Sequence, residues 1–197
     1  PSDEVINAAT AFGRVSKVVQ MRAMLKAGDR RKLVELKAVD EHWPLVGIAE
    51  FEPIIPLAVA LDSNGMAADG ALLRSLGLKP GDTARLGDMD IKVRANLTSE
   101  PDRSISFVSF GPRVLISDKT LAATGLQQPG SFITYRYRLL LDNPEIQQAA
   151  LASLQKITEP THVRVREVAN AAPGFNRFIN QAEIFLVLVG LTALLIG

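Results

Sequence analysis

Alternation of apolar and polar residues with period two constrains this chain most, because it returns in segment after segment. In KVVQMRAML, Val19, Met21, Ala23 and Leu25 fall on one side and Gln20 and Arg22 on the other. KLVELKAVD repeats the pattern through Val34, Leu36 and Ala38. Side chains two apart share a face only in an extended strand, so both segments read as half-buried strands. Gly28 and Asp29 lie between them, and the pair reads as a hairpin or as two neighbouring strands.

The stretch ADGALLRSLGLKPGDTARLGDMDIKVRANL is the most legible. A short helix through Leu72, Leu73 and Leu76 is expected to stop at Gly77, which tolerates the left-handed conformation after a helix end. Lys79-Pro80-Gly81-Asp82 fits a type II turn, with proline presetting φ at its second position and glycine taking positive φ at its third. Two strands follow, TARL and MDIKVRANL, joined at Gly87-Asp88. The second alternates through Met89, Ile91, Val93, Ala95 and Leu97.

Elsewhere SISFVSF, RVLI, SFITYRYRLLL and THVRVREV read as strands, the third with Ile133, Tyr135, Tyr137 and Leu139 opposite Thr134, Arg136 and Arg138. Ser2 stands as an N-cap before a helix carrying Val5, Ala8, Ala9 and Phe12 at helical spacing. Ser117 starts a second helix that Gly125 ends. Asn143 caps a third, with Pro144 at its first position and Ile146, Ala150, Leu154 and Ile157 along one face. The expected class is therefore α+β. The ends, residues 1–60 and 129–173, form a discontinuous α/β lobe, and residues 61–128 form a β-rich lobe inserted into it.

The last segment departs from this pattern. From Phe175 onward the chain reads as one helix, polar on one stripe as far as Glu183. From Ile184 to Gly197 it has no charged residue. A helix covering a small core keeps a polar stripe, whereas one apolar all round is buried or lies in a bilayer. A span needs about 20 apolar residues, so residues 174–197 read as a stalk helix running into a transmembrane helix that continues past Gly197.

Composition narrows the chemistry. The net charge is +1 over 197 residues, which lacks the basic excess of a nucleic-acid binder. Without cysteine there are no disulfides, thiolates or thiolate metal sites. The chain opens on Pro1, so missing targeting signals carry no weight. No phosphate-binding G-x-x-x-x-G-K-[ST] loop, G-x-S-x-G elbow or H-E-x-x-H pair occurs. Asp40, Glu41 and His42 could meet around a divalent cation, but three polar residues before Trp43-Pro44 read more simply as a solvated turn. His162 reads as a surface imidazole, and Trp43 as a core residue packed beside Pro44. No catalytic, cofactor-binding or metal-binding residue is expected.

Leu76-Gly77-Leu78-Lys79-Pro80-Gly81-Asp82 followed by a strand resembles the MacB-type periplasmic core domain of FtsX-like ABC transporter permeases. The segments GPRVLIS, LAATGLQQPGS, ITYRYRL, GFNRFI and FLVLVGLTALLIG are similar to later parts of that family, in the same order. LVELKAVDEHWPLVG resembles the stretch preceding the insert in the YbbP-like branch, although that branch has tyrosine where this chain has Trp43. The resemblance implies a two-lobed extracytoplasmic domain, with residues 1 to about 180 on the periplasmic side of the bacterial inner membrane. It implies a permease subunit that is no enzyme itself, with ATP hydrolysed by a separate cytoplasmic ABC ATPase. Rigid helices would transmit that work to extract or export a hydrophobic, lipid-like cargo. The YbbP-like branch further implies a periplasmic partner such as an esterase. Two alternatives stay open from the residues: a membrane-anchored binding or scaffold module without an ATPase partner, and a membrane-tethered enzyme built around Asp40, Glu41 and His42.

Overall fold

A computed structural model describes residues 1–101 and 111–167. The chain forms two compact units, one from Ala9–Asn143 and one from Pro1–Ala8 together with the chain from Pro144 onward.

The larger unit is built on a ring of six strands. β1 (Gly13–Ala27) and β2 (Arg30–Val39) form an antiparallel hairpin in which Ala27 faces Arg30 across Gly28-Asp29. β2 pairs in parallel with β7 (Arg113–Ser117), and β7 pairs antiparallel with β4 (Gly65–Asp69). β4 runs parallel to β6 (Met89–Ser99), β6 antiparallel to β5 (Thr83–Leu86), and β5 antiparallel to β1. Because β1 also pairs with β2, the sheet closes on itself. β3 (Glu50–Glu52) attaches to β6, and β8 (Ile133–Leu141) attaches to β1 outside the ring. Closure leaves the six strands no free edge among themselves, and so disposes of the pairing hazard an open sheet carries. The sheet crosses the expected boundary at residues 60 and 61, since β1 and β2 pair with β5 and β7.

The alternation read from the sequence lines the inside of the ring. Val19, Met21, Ala23 and Leu25 of β1 and Val34, Leu36 and Ala38 of β2 are buried there with alternate residues of the other four strands. Leu72, Leu73 and Leu76 of α3 (Gly70–Leu76) and Leu121 of α4 (Asp118–Ala123) join the same core. At the end of α3 the Gly77 amide donates to the Arg74 carbonyl and the Leu78 amide to the Leu73 carbonyl, with Gly77 at φ +65°. This is the Schellman arrangement. The next turn is also as expected: the Asp82 amide donates to the Lys79 carbonyl, and Gly81 sits at φ +102°. Ser117 caps α4 by accepting a bond from the Thr120 amide.

One bulge changes what β6 does. Met66 faces Val93 and Ala67 faces Ala95, so Arg94 is the extra residue. An unpaired residue in one strand reverses which face the following side chains take. Ile91 and Val93 therefore lie in the inner core, whereas Ala95 and Leu97 lie in a second core outside the ring. That outer core holds Val18, Val39, Ala67 and Leu115, covered by Trp43, Phe51 of β3, and Ala60 and Leu61 at the end of α2 (Leu57–Ala60). The uninterrupted alternation from Met89 to Leu97 thus serves two opposite faces.

In the smaller unit, α1 (Asp3–Thr10) begins where Ser2 predicts, and the Ser2 carbonyl accepts bonds from Val5 and Ile6. The third expected helix starts with a 3-10 turn at Pro144–Ile146, and α5 covers Gln147–Thr158. Its buried residues are Ala150, Leu154 and Thr158. Ile146 and Ile157 are only half-buried. Residues 161–167 keep the expected exposure alternation, with Val163 and Val165 half-buried, but form no strand among the described residues. An alternating pattern specifies a face, and a strand also needs a ladder partner. β8 is a strand as expected, but Tyr135 is exposed because the strand lies outside the ring. SISFVSF and the stalk at 174–197 lie outside the described residues. Among the described residues no helix is long and apolar enough to cross a membrane.

Candidate functional site

The outer face of the ring carries a group of buried charges. Glu35 and Lys37 lie on β2 with the opposite parity to Leu36, so they leave the inner core. Arg113 opens β7 directly across from Glu35. Glu100 follows the last residue of β6. Lys37 Nζ donates to Glu100 Oε1, with both side chains 1% exposed. Arg113 Nη1 reaches Glu100 Oε1 at 3.1 Å and Oε2 at 3.2 Å, while its Nη2 lies 3.1 Å from Glu35 Oε1. The Arg113 amide also donates to Asp69 Oδ2 at 2.9 Å. Trp43 closes over the cluster, with Lys37 Nζ 4.5 Å from its ring centroid. An ammonium at that distance interacts favourably with the negative face of the indole, most of all when water is excluded.

Two cations thus meet two carboxylates in a place that water barely reaches. Charges buried this way are tolerable because each finds a partner; removing one partner leaves another uncompensated. The cluster ties the end of β6 to β2 and β7, with Glu100 shared between a lysine and an arginine. Its carboxylates accept from fixed cations. Chemically it is a tie between strands. Arg113 Nε is buried with no hydrogen-bond partner, the one such side-chain atom among the described residues.

The residues weighed from the sequence fall elsewhere. Asp40 accepts bonds from Ser16 Oγ at 2.8 Å, the Lys17 amide at 2.6 Å and the His42 amide at 3.2 Å. Its carboxylate fastens the turn after β2 back onto β1. Glu41 and His42 are exposed on that turn, and no group of three or more possible metal ligands occurs among the described residues. His162 is exposed in the other unit. Trp43 is 2% exposed in the outer core, as a packing residue should be.

The charge cluster escaped the sequence reading because Lys37, Glu100 and Arg113 are far apart along the chain. A lysine opposite the apolar face of a strand ordinarily means solvent. The available signal was Trp43 and Phe51 with their apolar neighbours just after β2, enough material to cover that second face.

The fold as a whole is similar to that of MacB-type periplasmic domains. The fold matches the periplasmic region of MacB from Actinobacillus actinomycetemcomitans with a TM-score of 0.52 at 13% identity, over 78% of this chain and 74% of that one. It matches the extracellular domain of the noncanonic ABC-type transporter YknZ from Gram-positive bacteria with a TM-score of 0.55 at 9% identity, over 81% and 84%. No protein-family model matches the sequence. The chain is 30% identical over 125 residues to the uncharacterized ABC transporter permease YbbP of Escherichia coli (strain K12). That match takes in 64% of this chain and 15% of the permease. The chain thus has the fold of MacB-type periplasmic domains and is similar in sequence to a small part of an ABC transporter permease.

Proposed function

We propose that this chain is the extracytoplasmic part of an ABC transporter permease in the bacterial inner membrane. Residues 1 to about 180 stand on the periplasmic side, and residues 174–197 form a stalk entering a transmembrane helix. In this reading the domain couples ATP hydrolysis by a separate cytoplasmic ATPase to extraction or export of a hydrophobic, lipid-like molecule. It does so by mechanical transmission and catalyses nothing itself; a periplasmic partner such as an esterase receives or processes the cargo. The observation that carries the reading is a coincidence of two independent likenesses: 30% identity to a permease falls on a chain with the fold of periplasmic transporter domains.

The test uses the full-length protein reconstituted in lipid with a cytoplasmic ABC ATPase that co-purifies with it. ATP hydrolysis is expected to depend on the permease, and release of lipid-like cargo is expected to depend on hydrolysis. Ala182→Pro removes a backbone hydrogen bond from the expected stalk, at a cost of about 3 kcal/mol. It should leave hydrolysis running while cargo release stops. Wild-type release from the proline variant would refute mechanical transmission. Failure of any ATPase to associate would leave the membrane-anchored scaffold as the better account.

A further inference from the structure

Four large aliphatic side chains stand in water on one short run of the larger unit: Val46 (70% exposed), Ile48 (72%), Ile54 (97%) and Val59 (50%). Single exposed aliphatics are ordinary, but a concentration of them marks a place where something binds. This run is not slack chain. Trp43, Phe51, Ala60 and Leu61 are buried in the outer core, and Ala49, Ile55 and Leu57 pack against it from the same run. β3 is paired to β6 within it, and Pro44, Pro53 and Pro56 restrict φ along it. The backbone is held, so the exposed side chains present a preformed surface, and binding to such a surface costs little ordering entropy.

Charge decides what it fits. From Ala38 to Leu73 the chain contains no lysine or arginine, but it contains Asp40, Glu41, Glu50, Glu52, Asp62 and Asp69. Asp40 is bound to β1, Asp62 to Arg94, and Asp69 to the Arg113 amide. Glu41, Glu50 and Glu52 are exposed along the same run as the aliphatics, Glu52 also accepting a bond from Asn96 Nδ2 at 3.3 Å. Segments that settle on bacterial lipid carry Lys and Arg at their edges, since the leaflet is negative. This one carries the opposite sign. A second copy docking by the same face would set carboxylates against carboxylates. We propose that residues 45–59 dock a partner protein that offers an apolar groove edged with Lys and Arg. The permease reading supplies only the compartment in which that partner is met.

The experiment places a photo-crosslinking residue at Ile54 of the full-length protein in its native membrane. The expected product is a protein adduct whose mapped partner residue lies in an apolar groove beside Lys or Arg. Glu50→Lys with Glu52→Lys should lower its yield roughly tenfold, since like charges across an interface repel, and Ile48→Ser should lower it as well. Both glutamates are exposed, and an unchanged thermal transition checks that the variants fold. Glu50→Gln with Glu52→Gln serves if the double lysine variant does not. Lipid adducts, no adduct, or an adduct indifferent to the charge changes would each overturn the proposal. None of these outcomes depends on ATP hydrolysis or on the stalk, so failure here and failure of the permease reading are separable.

Discussion

The two sides of the barrel wall are built on different principles. Inside, side chains from six strands make a continuous apolar core, without a buried charge among the described residues. Outside, a smaller apolar patch shares its space with Lys37, Glu100, Arg113 and Glu35, and carries exposed aliphatics at its margin. The inner core draws its stability from area removed from water, which is insensitive to orientation. The outer side depends on a few directed contacts, each needing its partner in place.

That contrast can be broken by measurement. Lys37→Ala leaves Glu100 buried with one cation fewer and should destabilise the protein by about 3–5 kcal/mol, read as a shift in the denaturant midpoint. Less than 1 kcal/mol would mean the cluster ties nothing. Leu36→Ala, one residue away and on the inner face, should cost about 2–5 kcal/mol through cavity formation. It should be additive with changes in the outer cluster, whereas Lys37→Ala and Arg113→Ala, sharing Glu100, should depart from additivity by about 0.5–3 kcal/mol. At the bottom of the scale, Ile54→Ser should change stability by no more than about 0.5 kcal/mol. A larger loss in thermal unfolding would show that the exposed run supports the fold instead of presenting a surface.

Legibility followed the same division. Local rules were readable: Gly77 and Gly81 stop a helix and turn the chain for reasons contained within a few residues, and Ser117 caps α4 as its position suggests. The inner core was readable because period two needs no knowledge of partners. The outer core was not, because it depends on the bulge at Arg94. Nothing in MDIKVRANL marks where the alternation changes face. The charge cluster was hidden for a related reason: Lys37 and Glu100 acquire meaning only once β6 and β2 are placed, and placement is a matter of topology. THVRVREV shows the converse, since its alternation is real but no ladder completes it among the described residues.

β1 has a consequence for any force the domain carries. Nine of its residue pairs, from Gly13 with Leu141 to Met21 with Ile133, join it to β8, while its far end is held in the ring through β2 and β5. β8 runs antiparallel to β1 and leaves at Leu141, next to Gly13 at the start of β1. A pull on the Leu141 end of β8 along the strand is therefore resisted by an anchor at the opposite end of β1. The hydrogen bonds lie across that pull, so the ladder is loaded in shear and all its bonds share the strain together. Had β8 left from the other end, the same bonds would open one after another, like a zip.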